Sequence, residues 1–141
     1  MTTPEVSTRS VIEEREFPHP PQKVWRALTE SSLIEQWLLR NDFQPVVGHA
    51  FSLRRDPMPH WNGVIDCKVL ALEPIKSLSY TWQTLGIETV VTFTLTPTVA
   101  GTHVRIEHSG FSADQEANYK GAKYGWKNFI DRLERVVDEV D

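Results

Sequence analysis

Between Phe51 and Ser109 apolar side chains recur mainly on alternate residues, and from Tyr119 to Val140 they recur at spacings of three and four. The first period belongs to strands buried on one face and the second to a helix with one buried stripe, so a sheet followed by a long helix is required. Phe51 and Leu53, then Val64 to Leu72, then Leu78, Tyr80 and Trp82 read as three strands. Asp56-Pro57-Met58-Pro59 and Glu73-Pro74-Ile75-Lys76 supply the turns between them. Val91, Phe93 and Leu95 share a face opposite Thr92, Thr94 and Thr96, and Val104, Ile106 and His108 share one opposite His103, Arg105, Glu107 and Ser109. His108 is therefore placed on the apolar side.

Upstream, Val11 to Phe17 alternates as a further strand, stopped by Pro18-His19-Pro20-Pro21. Proline suits a first helical turn, and Val24, Trp25 and Leu28 give the helix that follows an apolar stripe ending near Thr29. Ser32 with Glu35, and later Ser112 with Gln115, have capping-box spacing, which predicts a second short helix here and the start of the long one after Gly110. In the long helix Tyr119, Ala122, Trp126, Phe129, Ile130, Leu133, Val137 and Val140 form the stripe. Gly121 and Gly125 predict a break or a close backbone approach near its beginning.

The expected fold class is α+β: a curved, six-stranded antiparallel sheet around a long C-terminal helix, with two short helices after the first strand. Residues 9–141 should form one domain behind a frayed tail, 1–8. A chain of 141 residues can bury about two-thirds of its unfolded surface without staples. Fifteen basic against nineteen acidic side chains give no electrostatic support for binding nucleic acid or anionic membrane. Cys67 is the only cysteine, so no internal disulfide forms, and the polar first residues carry neither a signal-peptide pattern nor a membrane span. A cytoplasmic protein, monomer or homodimer, is expected.

A bent sheet and a helix rarely fill their shared volume, and the five tryptophans with their aromatic neighbours suggest an apolar pocket there. Trp37, Phe51, Tyr80, Trp82, Phe93, His108, Trp126 and Ile130 are the candidate wall. His108 is the one weak candidate for acid-base chemistry. The alternative for it is a histidine satisfied by a backbone carbonyl or by Tyr80. A partner group could come only from Tyr80, Glu14, Glu16 or Asp66. His49, Asp56 and His60 lack the spacing of a metal site, Cys67 reads as a packing thiol, and no GxSxG, Walker or GxGxxG pattern occurs. No catalytic residue, metal or cofactor is expected.

Several segments together carry a resemblance. They are Phe17-x-His19-Pro20-Pro21-x-x-Val24-Trp25-x-Ala27-Leu28, Trp37, Val69-Leu70-x-Leu72-Glu73-Pro74, Leu78-Ser79-Tyr80-Thr81-Trp82, Val91-Thr92-Phe93-x-Leu95, Gly101-Thr102, His108-Ser109-Gly110-Phe111 and Gly125-Trp126. In order and spacing the chain resembles the SRPBCC or START-like helix-grip superfamily, in the branch named after activators of the heat shock protein 90 ATPase. That resemblance implies a ligand-accommodating cavity between sheet and C-terminal helix, and members that serve as lipid or hormone carriers, polyketide cyclases or chaperone cofactors. The first expectation is an apolar or aromatic small molecule bound in the cavity, without catalysis. The alternatives are a chaperone-activator-like interaction protein, with a chaperone as partner and a part in stress response, and a cyclase or hydratase using the same cavity through His108.

Overall fold

The structure, a computed structural model, describes residues 9–140; the expected frayed tail, 1–8, lies outside them, as does Asp141. Strand β1 (Arg9–Phe17) leads to helices α1 (Pro21–Thr29) and α2 (Ser31–Trp37). Strands β2 (Arg40–Asn41), β3 (Ala50–Arg54), β4 (Val64–Glu73), β5 (Ser77–Thr84), β6 (Ile87–Pro97) and β7 (Thr102–Phe111) follow, and α3 (Glu116–Glu139) ends the fold. One antiparallel sheet runs in the order β1-β7-β6-β5-β4-β3-β2. The first strand thus crosses to pair with the last, and the remaining strands are neighbours in sequence.

Among the described residues the sheet has seven strands, not the six expected, because β2 escapes any reading by period. It has only two residues, too few to alternate, and is defined by pairing Arg40 with Arg54 and Asn41 with Leu53. Elsewhere the alternation translates directly into burial. Val91, Phe93, Leu95, Val104, Ile106 and His108 are all buried, while the residues between them are only partly covered.

Two bulges bend the sheet. In β4 the pairing with β5 slips between Val69 and Ala71, so Leu70 is exposed and the inward phase of Ile65, Cys67 and Val69 passes to Leu72. In β7 the pairing with β1 skips Gly110, whose φ of +104° is a conformation that side chains rarely adopt. That extra residue lets His108 and Phe111 both face inward although three positions separate them, and their rings meet at 4.7 Å. The strand therefore continues one residue beyond the glycine expected to end it.

Helix α3 lies against the inner face, burying Trp126, Ile130, Leu133, Val136 and Val137. Its contact with β1 is also ionic: Arg15 meets Asp131 at 2.7 Å and Glu134 at 3.0 Å. Helices α1 and α2 pack against it, and the Trp37 indole N–H ties them together by donating to the Ala27 carbonyl at 2.8 Å.

The helix starts differ from the capping boxes read in the sequence. A single residue, Glu30, joins α1 to α2, and its carbonyl accepts from Leu33 and Ile34 N–H, so Ser32 and Glu35 fall inside α2 and cap nothing. At α3 half of the expected reciprocal pair forms, with Ser112 N–H donating to Gln115 Oε1 at 2.9 Å. The Ser112 hydroxyl turns to Asp114 instead, and the helix opens at Glu116. Gly121 and Gly125 do not break α3, which runs uninterrupted for 24 residues.

Candidate functional site

The aromatic side chains on the inner face divide into a solid end and a hollow end. At the solid end Phe43, Phe51, Tyr80, Phe93 and Trp37 form a chain of ring contacts, with centroids 5.1 Å apart for Phe51 and Tyr80, 5.7 Å for Tyr80 and Phe93, and 6.0 Å for Trp37 and Phe93. Phe93 passes the chain to Trp126 at 6.0 Å, and Trp126 to Trp82 at 5.4 Å. Beyond those two indoles the packing opens into a cavity of about 360 Å³, within the size range of small-molecule sites.

The walls of this cavity come from three directions. The sheet contributes Ile65, Trp82, Thr84, Ile87, His108 and Phe111; α3 contributes Ala122, Gly125, Trp126 and Phe129 along one side and Ala117, Asn118 and Gly121 towards its start. The loop after β3 contributes Arg55 and Trp61, and Leu39 borders the far edge. Of the eight residues proposed from sequence, Trp82, His108 and Trp126 line the cavity, whereas Trp37, Phe51, Tyr80, Phe93 and Ile130 are packed in the core beside it.

The glycines of α3 help to keep the space open. A Cβ at Gly121 would meet nothing within 4 Å, and one at Gly125 would reach only the Phe129 ring, at 3.7 Å. The sequence suggested a break or close approach at these glycines, whereas the helix continues and leaves room there.

The loop wall was the part sequence reasoning missed. Trp61 is held by its indole N–H, which donates to Thr84 Oγ1 at 2.7 Å, while the Thr84 hydroxyl donates to the Val64 carbonyl at 2.9 Å. The chain doubles back between these residues, with Arg55 N–H donating to Gly63 O at 2.9 Å. Gly63 is buried at φ +82°, and a Cβ there would stand 2.2 Å from the Arg55 carbonyl oxygen, so only glycine permits the crossing. Gly63 follows soon after the prolines of residues 57–59, and nothing in the sequence spacing marks it as a crossing point.

One edge of the opening is an apolar hairpin. Thr84 pairs with Ile87, leaving Leu85-Gly86 as a two-residue hairpin turn that requires positive φ at both positions. Leu85 adopts φ +52° with its side chain exposed, where asparagine or glycine would be less strained.

His108 stands at the back of the cavity, and its hydrogen bonds define its state. The Trp126 indole N–H, which can only donate, gives its proton to His108 Nδ1 at 2.9 Å. Nδ1 therefore carries a lone pair, and the proton of the neutral ring sits on Nε2, 2.7 Å from Thr89 Oγ1. The Thr89 hydroxyl passes its own proton to the Trp82 carbonyl at 2.8 Å. Burial pushes the imidazole pKa down to about 3, and protonating Nδ1 would also oppose a second donor to the Trp126 N–H. The arrangement fixes two cavity walls, Trp82 and Trp126, and leaves neither ring nitrogen free for a substrate.

The groups considered as partners for His108 lie elsewhere. Glu14 meets His103 at 3.0 Å, Glu16 accepts from Thr98, and Asp66 is exposed on the outer face. Tyr80 faces inward, but burial holds its phenol well above the ordinary range and its ring belongs to the solid end. Burial, with help from the Asp66 carboxylate, likewise keeps the Cys67 thiol protonated. His49 bonds the Asp42 carbonyl and stacks on Phe51, Asp56 pairs with Arg40, and among the described residues no three acidic, histidine or cysteine side chains gather as a metal site. Among the same residues no helix is long and apolar enough to cross a membrane.

Residues 18–138 match the family described as activator of Hsp90 ATPase homolog 1-like protein. The chain belongs to that family. Among solved structures this Hsp90-activator-homolog-like chain is similar to protein MLL2253 from Mesorhizobium loti, at 52% identity over 94% of this chain and 99% of that one, with a TM-score of 0.88. It is also similar to protein BH1534 from Bacillus halodurans, at 30% identity over 92% and 96% of the two chains, with a TM-score of 0.76. DynU16, described as a putative protein in the dynemicin biosynthetic locus, aligns at 25% identity and a TM-score of 0.78 over 92% of this chain, which spans about half (47%) of that protein. No curated protein matches the chain.

Proposed function

We propose that this chain is a binding protein that takes an apolar, aromatic small molecule into the cavity between the sheet and the first half of α3. The observation that carries the reading is the cavity of about 360 Å³ walled by three indoles, Trp61, Trp82 and Trp126, and two phenyl rings, Phe111 and Phe129. Covering a flat ring on both faces gains roughly 25 cal/mol per Å² of apolar surface removed from water, and stacking adds to that. The state of His108 favours a wall-positioning role over proton transfer, which supports binding without chemistry at that residue. The relative from a biosynthetic locus for a small molecule lends support to the same class of ligand.

Thermal unfolding against neutral naphthalene and alkanol probes tests the reading. A probe at about one hundred times its dissociation constant stabilises the fold by about 2.7 kcal/mol. The rise in Tm should be present in the wild type and lost in Gly121→Leu, which adds a bulky side chain at a residue lining the cavity. No shift with any probe would refute the proposal.

The family's own description supports a second reading, in which the outer surface engages an Hsp90-type chaperone. Stimulation of that chaperone's ATPase that survives Gly121→Leu would favour it.

A further inference from the structure

We propose that the ligand is an amphipathic anion, with its apolar ring in the cavity and a carboxylate or similar group held at the mouth by Arg55 and Arg132; this rests on the cavity reading above. Among the described residues Arg55 is the one charged residue lining an otherwise apolar and neutral wall. It also borders a second surface hollow together with Leu39, so the two spaces adjoin at these residues. That second hollow collects Arg40, Arg54, Arg55 and Arg132 against two carboxylates, Glu35 and Asp56. Asp56 is engaged by Arg40 at 3.2 Å. Arg54 and Arg55 make no side-chain hydrogen bond or ion pair among the described residues, and Arg132 sits 5.9 Å over the Phe129 ring, itself a wall of the cavity.

The protein as a whole carries a net charge of −4, so this is a local reversal of sign at the cavity mouth. A guanidinium at the edge of an apolar pocket, without a carboxylate of its own, suits an anionic oxygen from outside, because its planar donors match a carboxylate in two-point fashion. The backbone supports the placement. Gly63 locks the crossing at Arg55 and the Trp61 to Thr84 bond fixes the rest of the loop, so the Arg55 backbone is presented by a held segment.

Two probes of the same shape, 2-naphthoate and 2-naphthamide, separate charge recognition from ring burial when titrated by calorimetry. The acid should bind the wild type at least tenfold more tightly than the amide, with a preference that shrinks as salt is raised. Arg55→Gln should abolish the preference for the acid over the amide, and Arg132→Gln should reduce it in part. Arg135→Gln, an exposed arginine outside both hollows, should change neither. Equal binding of the two probes, or an unchanged preference in Arg55→Gln, overturns the anion proposal and leaves the cavity reading standing. Absence of binding by either probe overturns both.

Discussion

Acidification from about pH 8 to pH 5 should weaken the fold by about 2 kcal/mol through His108 alone, because the unfolded imidazole titrates near 6.5 and the buried one near 3. The sign follows from which state takes up the proton. Below 6.5 the unfolded chain binds a proton that the folded chain refuses until about pH 3, so the contribution is complete above 6.5 and is lost as the pH falls between these values. Each unit of pH in that window costs about 1.4 kcal/mol, and the interval from 6.5 to 5 gives the figure above. The comparison protein is His108→Gln, which keeps one acceptor for the Trp126 indole and one donor for Thr89 but cannot ionise. Urea unfolding at constant ionic strength should show the wild type more stable at pH 8 and the gap between the two shrinking by about 2 kcal/mol at pH 5. The other four histidines are common to both proteins and cancel in the difference. A gap that does not change with pH would mean that the fold accepts an imidazolium at this position, and the tautomer derived from the Trp126 and Thr89 bonds would be wrong.

The glycines of α3 predict a trade between stability and binding. Gly121→Ala should raise stability by up to about 1 kcal/mol in thermal unfolding, since helix propensity improves and the new methyl meets nothing. Leu85→Asn should also stabilise, by about 1 kcal/mol, by relieving a left-handed leucine, and should weaken naphthalene probes by removing an apolar group from the mouth. Phe93→Ala, in the solid end, should cost about 3–5 kcal/mol in urea unfolding, whereas Phe129→Ala at the half-buried cavity wall should cost clearly less. Gly63→Ala should destabilise the loop and weaken probe binding together, because its Cβ would collide with the Arg55 carbonyl; equal probe affinity in that variant would count against the loop as a cavity wall.

Most of the fold was legible because burial on a sheet follows the period of two. Val91, Phe93, Val104, Ile106 and His108 lie on the face that their spacing assigned them. What the period cannot give is position along the cavity axis. Phe51, Tyr80 and Phe93 share the inner face with Trp82 and His108, yet the first three pack against one another and the last two border the hollow. That difference depends on how α1, α2 and α3 pack over the sheet, a matter of contacts distant in sequence. Phe111 was out of phase with His108 until the Gly110 bulge brought both inward. Trp61 and Arg55 sat in a proline-rich segment that looked like unstructured chain, and only the crossing at Gly63 makes it a wall. The Ser32–Glu35 box failed for a different reason: a one-residue link between α1 and α2 left no space for Ser32 to precede its helix.

The tryptophan side chains themselves provide the most direct test of a ligand-binding cavity at the first half of α3. In a ¹H–¹⁵N spectrum of the wild type, saturating 2-naphthol should move the indole resonances of Trp61, Trp82 and Trp126 along one binding isotherm and leave those of Trp25 and Trp37 in place. If the three wall indoles stayed still while the protein remained folded, or if all five drifted together without saturation, no ring would be entering that space and the central claim would fail.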